Sequence, residues 1–279
     1  MHTVTANGLR FTYLEQGSGP LVLLLHGFPD TAYTWDATLP ALAAAGYRAV
    51  APFMRGYHPT EIPDPPAYDI ESLGKDAVAL IEALGADRAI IVGHDWGATA
   101  AYAASVLAPE RVQLCVTVAV PHPASMKPTP RTIWGFRHFI ALRRRNAVAK
   151  LRANDYAYVD KLLRRWSPAW DVPAGETDRV KAAFREPRCD EAAVGYYRAL
   201  ALRPTGAIRE RVAVPTVAFA GEHDGVLRPR AYEKARGRFT GSYEVVQMPG
   251  GHFMHREHPA HFTAELVRVL HDHAARTAA

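Results

Sequence analysis

Val92-Gly93-His94-Asp95-Trp96-Gly97-Ala98 is the stretch on which the reading of this chain turns. An apolar run, Arg88-Ala89-Ile90-Ile91-Val92, precedes it and reads as a strand buried on both faces. A run of small residues, Ala98 to Leu107, follows and reads as a helix. A strand, a sharp turn and a helix, with Gly two places either side of one reactive residue, form an elbow that presents a nucleophile. The glycines have a physical reason. The turn forces the central residue into a strained backbone, and side chains at Gly93 and Gly97 would collide with neighbouring elements. Asp95 stands at the centre, where such elbows usually carry Ser. A Ser hydroxyl needs a base to attack an acyl carbon. A carboxylate is ionised already near neutral pH. It can displace a leaving group from a saturated carbon, and the alkyl ester so formed must then be hydrolysed. That one residue points to epoxide opening or carbon–halogen cleavage, and away from peptidase, lipase or Ser-type esterase chemistry.

Outward from the elbow the chain alternates. Thr3 to Ala6 and Leu9 to Leu14 flank Asn7-Gly8, a hairpin turn signal. Buried strands are expected at Pro20–Leu25, Tyr47–Pro52, Val112–Val120, Pro215–Ala220 and Tyr243–Met248, and helices at Trp35–Ala45, Ile70–Leu84 and about Pro259–Ala275. Between Ala124 and about Ile208 the pattern is helical, rich in Arg and aromatics, with no convincing strand. The simplest architecture is an α/β, doubly wound, mostly parallel sheet. Its core spans residues 1–121 and 211–279, and a helical lid of residues 122–210 is inserted between two strands.

Two loops at strand ends complete a constellation. Gly221-Glu222-His223-Asp224 follows one strand and Pro249-Gly250-Gly251-His252 the next, at the carboxyl ends where open α/β sheets place ligands. Asp224 can orient His252, and His252 can take a proton from water. Glu222 is a competing acid, two residues nearer its strand.

Composition excludes several classes. The 279 residues suit one α/β domain with an insertion, and the net charge of +5 is spread out. Arg143-Arg144-Arg145 and Arg164-Arg165 read as a solvated helical face, so no nucleic-acid partner is expected. Cys115 and Cys189 lie far apart, so no disulfide framework is implied. The N-terminus lacks a basic-then-apolar leader, and no apolar run is long enough to span a bilayer. No His, Cys and carboxylate group has metal spacing. The expectation is a cytoplasmic enzyme with no cofactor, no metal and no membrane partner, with a homodimer left open.

Taken together, His26-Gly27-Phe28-Pro29, Gly93 to Ala98, Asp224 and Gly251-His252-Phe253 resemble the epoxide hydrolase branch of the α/β-hydrolases, and are similar to haloalkane dehalogenases. The resemblance covers nearly the whole chain. It implies an oxyanion hole from the backbone N–H groups of Phe28 and Trp96. It also implies a lid acid at Tyr197, within Tyr196-Tyr197-Arg198, and a second lid group where most relatives carry Tyr. Spacing from Asp95 puts His138 there, with Tyr156 and Tyr158 as alternatives and Trp134 as a neighbouring substrate contact. In a His/Tyr pair His138 would assist by hydrogen bonding or act as a second acid. Phe53 occupies the place of an Asp that usually braces the loop through Arg55-Gly56. Fluoroacetate dehalogenases, which have a similar lid pair, carry two arginines where this chain has Trp96 and Thr99, which disfavours a carboxylate substrate. Phe28 replaces the Asn halide ligand of many haloalkane dehalogenases; a lid Trp (Trp134, Trp166 or Trp170) is the other route to halide binding. The implied reaction is hydrolysis of a neutral epoxide to a vicinal diol through an Asp95 ester. A dehalogenase is the alternative, and a non-catalytic ligand-binding member of the fold is a third reading.

Overall fold

The computed structural model describes residues 1–127, 129–201 and 205–278. Its core is one sheet of eight strands: β1 (His2–Ala6), β2 (Leu9–Gln16), β3 (Leu21–Leu25), β4 (Arg48–Pro52), β5 (Ala89–His94), β6 (Val112–Val118), β7 (Thr216–Gly221) and β8 (Tyr243–Met248). Their order is β1-β2-β4-β3-β5-β6-β7-β8, with the β1–β2 and β2–β4 pairs antiparallel and the rest parallel. The hairpin turn has Asn7 and Gly8 at φ 46° and 75°, the positive values that a tight two-residue turn requires. Strands β3, β5 and β7 are buried along their whole length, as expected of parallel strands covered on both faces.

Helices α1 (Thr38–Ala44), α2 (Ile70–Ala83) and α3 (Trp96–Leu107) belong to the core. So do α9 (Pro229–Ala235), α10 (Met254–Glu257) and α11 (Pro259–Ala278), while α4 (Pro130–Gly135), α5 (Arg137–Arg143), α6 (Ala147–Trp166), α7 (Asp178–Arg185) and α8 (Cys189–Ala199) lie between β6 and β7. Among the described residues of that insertion there is no strand. α2 packs on α3, and α1 on α11. α2 starts where the Asp69 side chain accepts the Ser72 N–H at 3.0 Å, a capping bond that fixes the helix start. One sequence expectation shifts, and one helix is interrupted. α1 begins later than Trp35, because Ala32–Trp35 forms a separate 3-10 turn. Long α6 is broken at Asn154 to Tyr156, all left-handed, a conformation that Asn and Asp tolerate better than most residues.

The topology decides where chemistry can sit. After β3 the chain crosses to β4 on one side, and then returns to β5 on the other, so the loops after β3 and β5 diverge from a shared switch point. Leu25 pairs with Gly93 at the last register of β3 and β5. Phe28 and Asp95 leave these strand ends side by side.

Candidate active site

Asp95 joins β5 to α3 with φ 52° and ψ −112°, a strained conformation for a residue with a side chain. The flanking glycines are there because nothing else fits. A Cβ on Gly93 would lie 2.2 Å from the Gly97 carbonyl oxygen, and one on Gly97 2.2 Å from that of Leu25. Gly27 belongs to the same device: its Cβ would meet the Asp95 side chain at 2.4 Å. With that space clear, the Phe28 N–H donates to Asp95 Oδ1 at 2.9 Å. Trp96 is the first residue of α3, where an N–H has no partner inside the helix and the helix dipole favours negative charge. Phe28 N–H thus holds one Asp95 carboxylate oxygen, and α3 begins at the next residue, Trp96.

The other oxygen, Oδ2, faces His252 Nε2 at 3.5 Å, the distance of an ion pair rather than a formed hydrogen bond. On the far side of the ring, His252 Nδ1 and Asp224 Oδ2 are 3.1 Å apart. Asp224 is itself held: its Oδ1 accepts the N–H groups of Val226 and Leu227 at 2.6 and 3.0 Å. Glu222, the competing acid, is exposed. Burial alone would make His252 less basic, but Asp224 and Asp95 outweigh it and push its pKa up to about 9. Burial would likewise raise the Asp95 carboxyl; His252 and the Phe28 N–H overcome that and hold it below the ordinary carboxylate value. The resting pair is therefore a carboxylate and an imidazolium at neutral pH.

Above the carboxylate sits a cavity of about 80 Å³, room for roughly three waters at the liquid's volume per molecule. Phe136, Phe139, Met126, Val120, Leu200 and Leu227 make its walls apolar; Asp95, His252, His138 and Thr99 supply the polar atoms. Tyr197 stands beside it, fully buried, its ring edge-on to Phe28, Trp96 and Phe139 at centroid distances of 5.2, 5.2 and 5.0 Å. Its hydroxyl has no hydrogen-bond partner among the described residues. Burial, reinforced by the Asp95 charge, holds that phenol well above its usual pKa.

His138 lines the same cavity, but its Nδ1 lies 3.1 Å from the Gly135 carbonyl oxygen, and that contact requires the proton to be on Nδ1. Burial and the Arg165 charge lower its pKa to about 3, so the ring stays neutral. Nε2 is then a hydrogen-bond acceptor, and the expectation that His138 acts as a second acid is revised. Trp134 is corrected outright. It is 68% exposed on α4, with the Arg137 guanidinium 4.3 Å over its ring, and does not line the cavity. Trp166 lines it instead, between His138 and His252 at ring distances of 4.6 and 5.0 Å. The alternatives fall away from the site as well. The Tyr156 hydroxyl donates to the Phe184 carbonyl at 2.8 Å and lies 3.1 Å from Asp190, and Tyr158 carries the Lys150 ammonium over its ring. Neither lines the cavity.

The structure adds residues that the sequence reading missed. The loop after β4, without its bracing Asp, is held by the Met54 N–H donating to His26 Nε2 at 2.9 Å and by a buried Arg55–Asp76 pair at 2.5 Å. The end of α6 is fastened to both catalytic loops. The Trp166 carbonyl accepts the N–H of Gly225, next to Asp224, at 2.9 Å and the N–H of His252 at 3.1 Å. Ser167 Oγ accepts the Phe253 N–H at 3.1 Å and donates to Glu257, which also accepts the Gly251 N–H at 2.8 Å. The approach is close enough to dictate glycine. A Cβ at Gly225 would meet the Arg165 carbonyl at 2.1 Å, and one at Gly251 would meet Ser167 Cα at 2.6 Å. The Asp224-Gly225 and Gly251-His252 pairs signalled this in the sequence; what the glycines had to admit was not legible.

A carboxylate in a strained elbow, an imidazole poised on it, an acid behind that and an apolar lid above are the working parts of an α/β-hydrolase. The chain belongs to this family: residues 20–259 match the model of the alpha/beta hydrolase fold. It is 31% identical to epoxide hydrolase A of Mycobacterium tuberculosis, with 96% of each chain covered. An AB hydrolase superfamily protein of Bacillus subtilis is 30% identical, with 92% of this chain and 93% of that one covered. Among solved structures, an epoxide hydrolase from Vigna radiata superposes with a TM-score of 0.82 at 27% identity, covering 97% of each chain. Among the described residues no helix is long and apolar enough to cross a membrane, and no cluster of His, Cys, Asp and Glu is arranged to hold a metal ion.

Proposed function

We propose that this chain is an epoxide hydrolase for small, neutral, apolar epoxides. The observation that carries the proposal is the ionised Asp95 at the floor of an apolar cavity, with one oxygen bonded to the Phe28 N–H and the other free toward His252. Asp95 Oδ2 attacks a ring carbon of the epoxide, the carbon–oxygen bond breaks, and the released oxygen takes a proton from the Tyr197 hydroxyl. The proton is needed because an unassisted alkoxide is a poor leaving group. Tyr197 is the fitting donor: its O–H has no competing partner and its proton is not lost to bulk solvent at neutral pH. His138 Nε2 faces the substrate as an acceptor.

Water then attacks the carboxyl carbon of the Asp95 ester. His252, made neutral by passing its resting proton to the Tyr197 phenolate, takes the proton, and Asp224 stabilises the imidazolium. The charge that develops on Oδ1 falls between the N–H groups of Phe28 and Trp96. Collapse breaks the ester bond, the departing alkoxide takes the water proton left on the re-formed Asp95 carboxyl, and the diol leaves with Asp95, His252 and Tyr197 back in their resting forms; the sum is epoxide plus water to vicinal diol. The similarity to proteins described as epoxide hydrolases supports the same reading. We place the enzyme in the cytoplasm and assign it no cofactor and no metal.

A dehalogenase would use the same carboxylate, but a departing halide needs donors rather than a proton. Trp166 keeps that reading open, since its indole N–H is buried and unpartnered among the described residues. The test is a panel of epoxides and haloalkanes, scoring diol against halide. Diol from epoxides with little halide release is expected. Efficient halide release with no diol from any epoxide would overturn the assignment and leave only the Asp-nucleophile mechanism.

A further inference from the structure

The lid carries a feature that the reaction does not use. Between Glu110 and Asp155 the chain has no acidic residue and nine Lys or Arg. The structure sets apolar surface into this basic stretch. Ile133 and Trp134 on α4 and Ile140 on α5 are 55%, 68% and 56% exposed, and among the described residues the only other large hydrophobic side chains so exposed are Met1 and Leu107. Lys127, Arg143, Arg144, Arg145 and Lys150 are exposed in the same stretch of chain, and none has a carboxylate within 4 Å among the described residues. The α4–α5 junction and α5 turn Phe136, His138 and Phe139 into the cavity, so this segment is at once part of its wall and of an outer face. A groove alongside α4 shares Met126, Val226 and Leu227 with the cavity, and its rim is basic too, with Lys127, Arg228, Arg230 and Lys234 against Glu222.

We propose that the α4–α5 face of the lid docks on the surface of an anionic lipid bilayer. The charge pattern selects the partner. Nucleic acid would complement the arginines but would leave two isoleucines and a tryptophan facing water. A second copy of the chain would set like charge against like. An anionic bilayer complements both at once: its headgroups take the Lys and Arg, and Ile133, Trp134 and Ile140 enter the boundary beneath, where tryptophan is favoured. The arginines that read from sequence as a solvated face, and the tryptophan that read as a substrate contact, find one use. Docking there would bring the cavity wall against the reservoir into which apolar molecules partition. Binding to the surface does not depend on which reaction the site performs.

The test uses the full chain with phosphatidylcholine vesicles, with and without phosphatidylglycerol. Co-sedimentation with the anionic vesicles at low salt is expected, with none on pure phosphatidylcholine, and with loss at high salt because the headgroup attraction is screened. Brominated lipid should quench Trp134, the most exposed of the five tryptophans, since Trp35, Trp96 and Trp166 are buried and Trp170 is half-buried. Each basic group near the surface contributes about a fivefold gain in partitioning, so Arg144→Gln with Arg145→Gln should lower it roughly 25-fold. Ile133→Ser with Trp134→Ser should abolish the quenching and leave turnover of a water-soluble substrate unchanged. Absence of binding, equal binding to both vesicles, or variants that bind like the parent would overturn the proposal. So would concentration-dependent self-association that protects Trp134 from a soluble quencher, because the face would then belong to a second copy.

Discussion

The two halves of the site are held by different forces. In the core half each reacting group is fixed by hydrogen bonds: Phe28 N–H on Asp95, Asp224 on His252, and two backbone N–H groups on Asp224. In the lid half Tyr197 is fixed by the edges and faces of neighbouring rings, and its hydroxyl is left free. Hydrogen bonds set charge and direction, which a nucleophile and base must have before substrate arrives. Ring packing sets shape, and leaves the Tyr197 hydroxyl unspent for the donor role proposed for it. Between the halves lies the Trp166-Ser167 segment, where the lid's backbone becomes part of the core's hydrogen-bond system.

Breaking the core half should have the largest effect. Asp95→Asn keeps the shape and removes the charge, so turnover should fall by roughly 10³- to 10⁶-fold with the fold intact by circular dichroism. Turnover at the parent rate, with no deamidation back to Asp, would refute the assigned nucleophile. In the lid half, Tyr197→Phe should slow alkylation by about 10²- to 10⁴-fold, the range of general-acid assistance. His138→Ala should slow it by less than about tenfold, because an acceptor nitrogen cannot protonate the leaving oxygen. A His138→Ala variant slower than Tyr197→Phe in rapid-mixing experiments would reverse these roles.

The seam between the halves offers a finer test. Ser167→Ala removes the acceptor of the Phe253 N–H and a donor to Glu257 beside the His252 loop. Leaving such groups unsatisfied costs about 1–3 kcal/mol. Ester hydrolysis should slow by roughly ten- to a hundredfold while alkylation by Asp95 changes little, and Ser167→Thr should recover most of the rate. Equal loss in both steps would mean that Ser167 supports the fold generally and does not position His252.

The pH dependence should separate the two steps further. Asp95 is held below the ordinary carboxylate value and Tyr197 well above the ordinary phenol value, so alkylation should be flat from about pH 6 to about pH 9. Hydrolysis needs neutral His252. In the resting enzyme its pKa of about 9 rests on both carboxylates, and alkylation removes the charge of Asp95. The basicity of His252 should therefore drop once the ester forms, and hydrolysis should rise with pH through an apparent value below 9. The same ion pair also supports the folded state. Its contribution should be complete below the unfolded histidine value near 6.5 and lost as pH rises through about 9. A hydrolysis rate that fell with pH would contradict the assignment of His252 as base.

Much of the core half was legible in the sequence because backbone geometry restricts residue choice there. Gly93, Asp95 and Gly97 could be read together, since only glycine tolerates contacts near 2.2 Å, and strand ends in such a sheet converge on one edge. The lid was legible as a helical insertion and little more. Periodicity gives the spacing of residues on a helix, and says nothing of its rotation against the core. For that reason Trp134, four places from His138, was assigned to a cavity it does not touch. The proton on His138 was illegible because it depends on where the Gly135 carbonyl points. Ser167 escaped notice because it acts through N–H groups contributed by a loop 86 residues away in the chain.

The central claim is that Asp95 carries the substrate as an ester which His252 clears. The most direct measurement is mass spectrometry of His252→Gln incubated with a turned-over epoxide. The account predicts intact protein heavier by the full mass of the epoxide, and a digest that places the added mass on the peptide containing Asp95. An unmodified protein, or an adduct on any other residue, would contradict it.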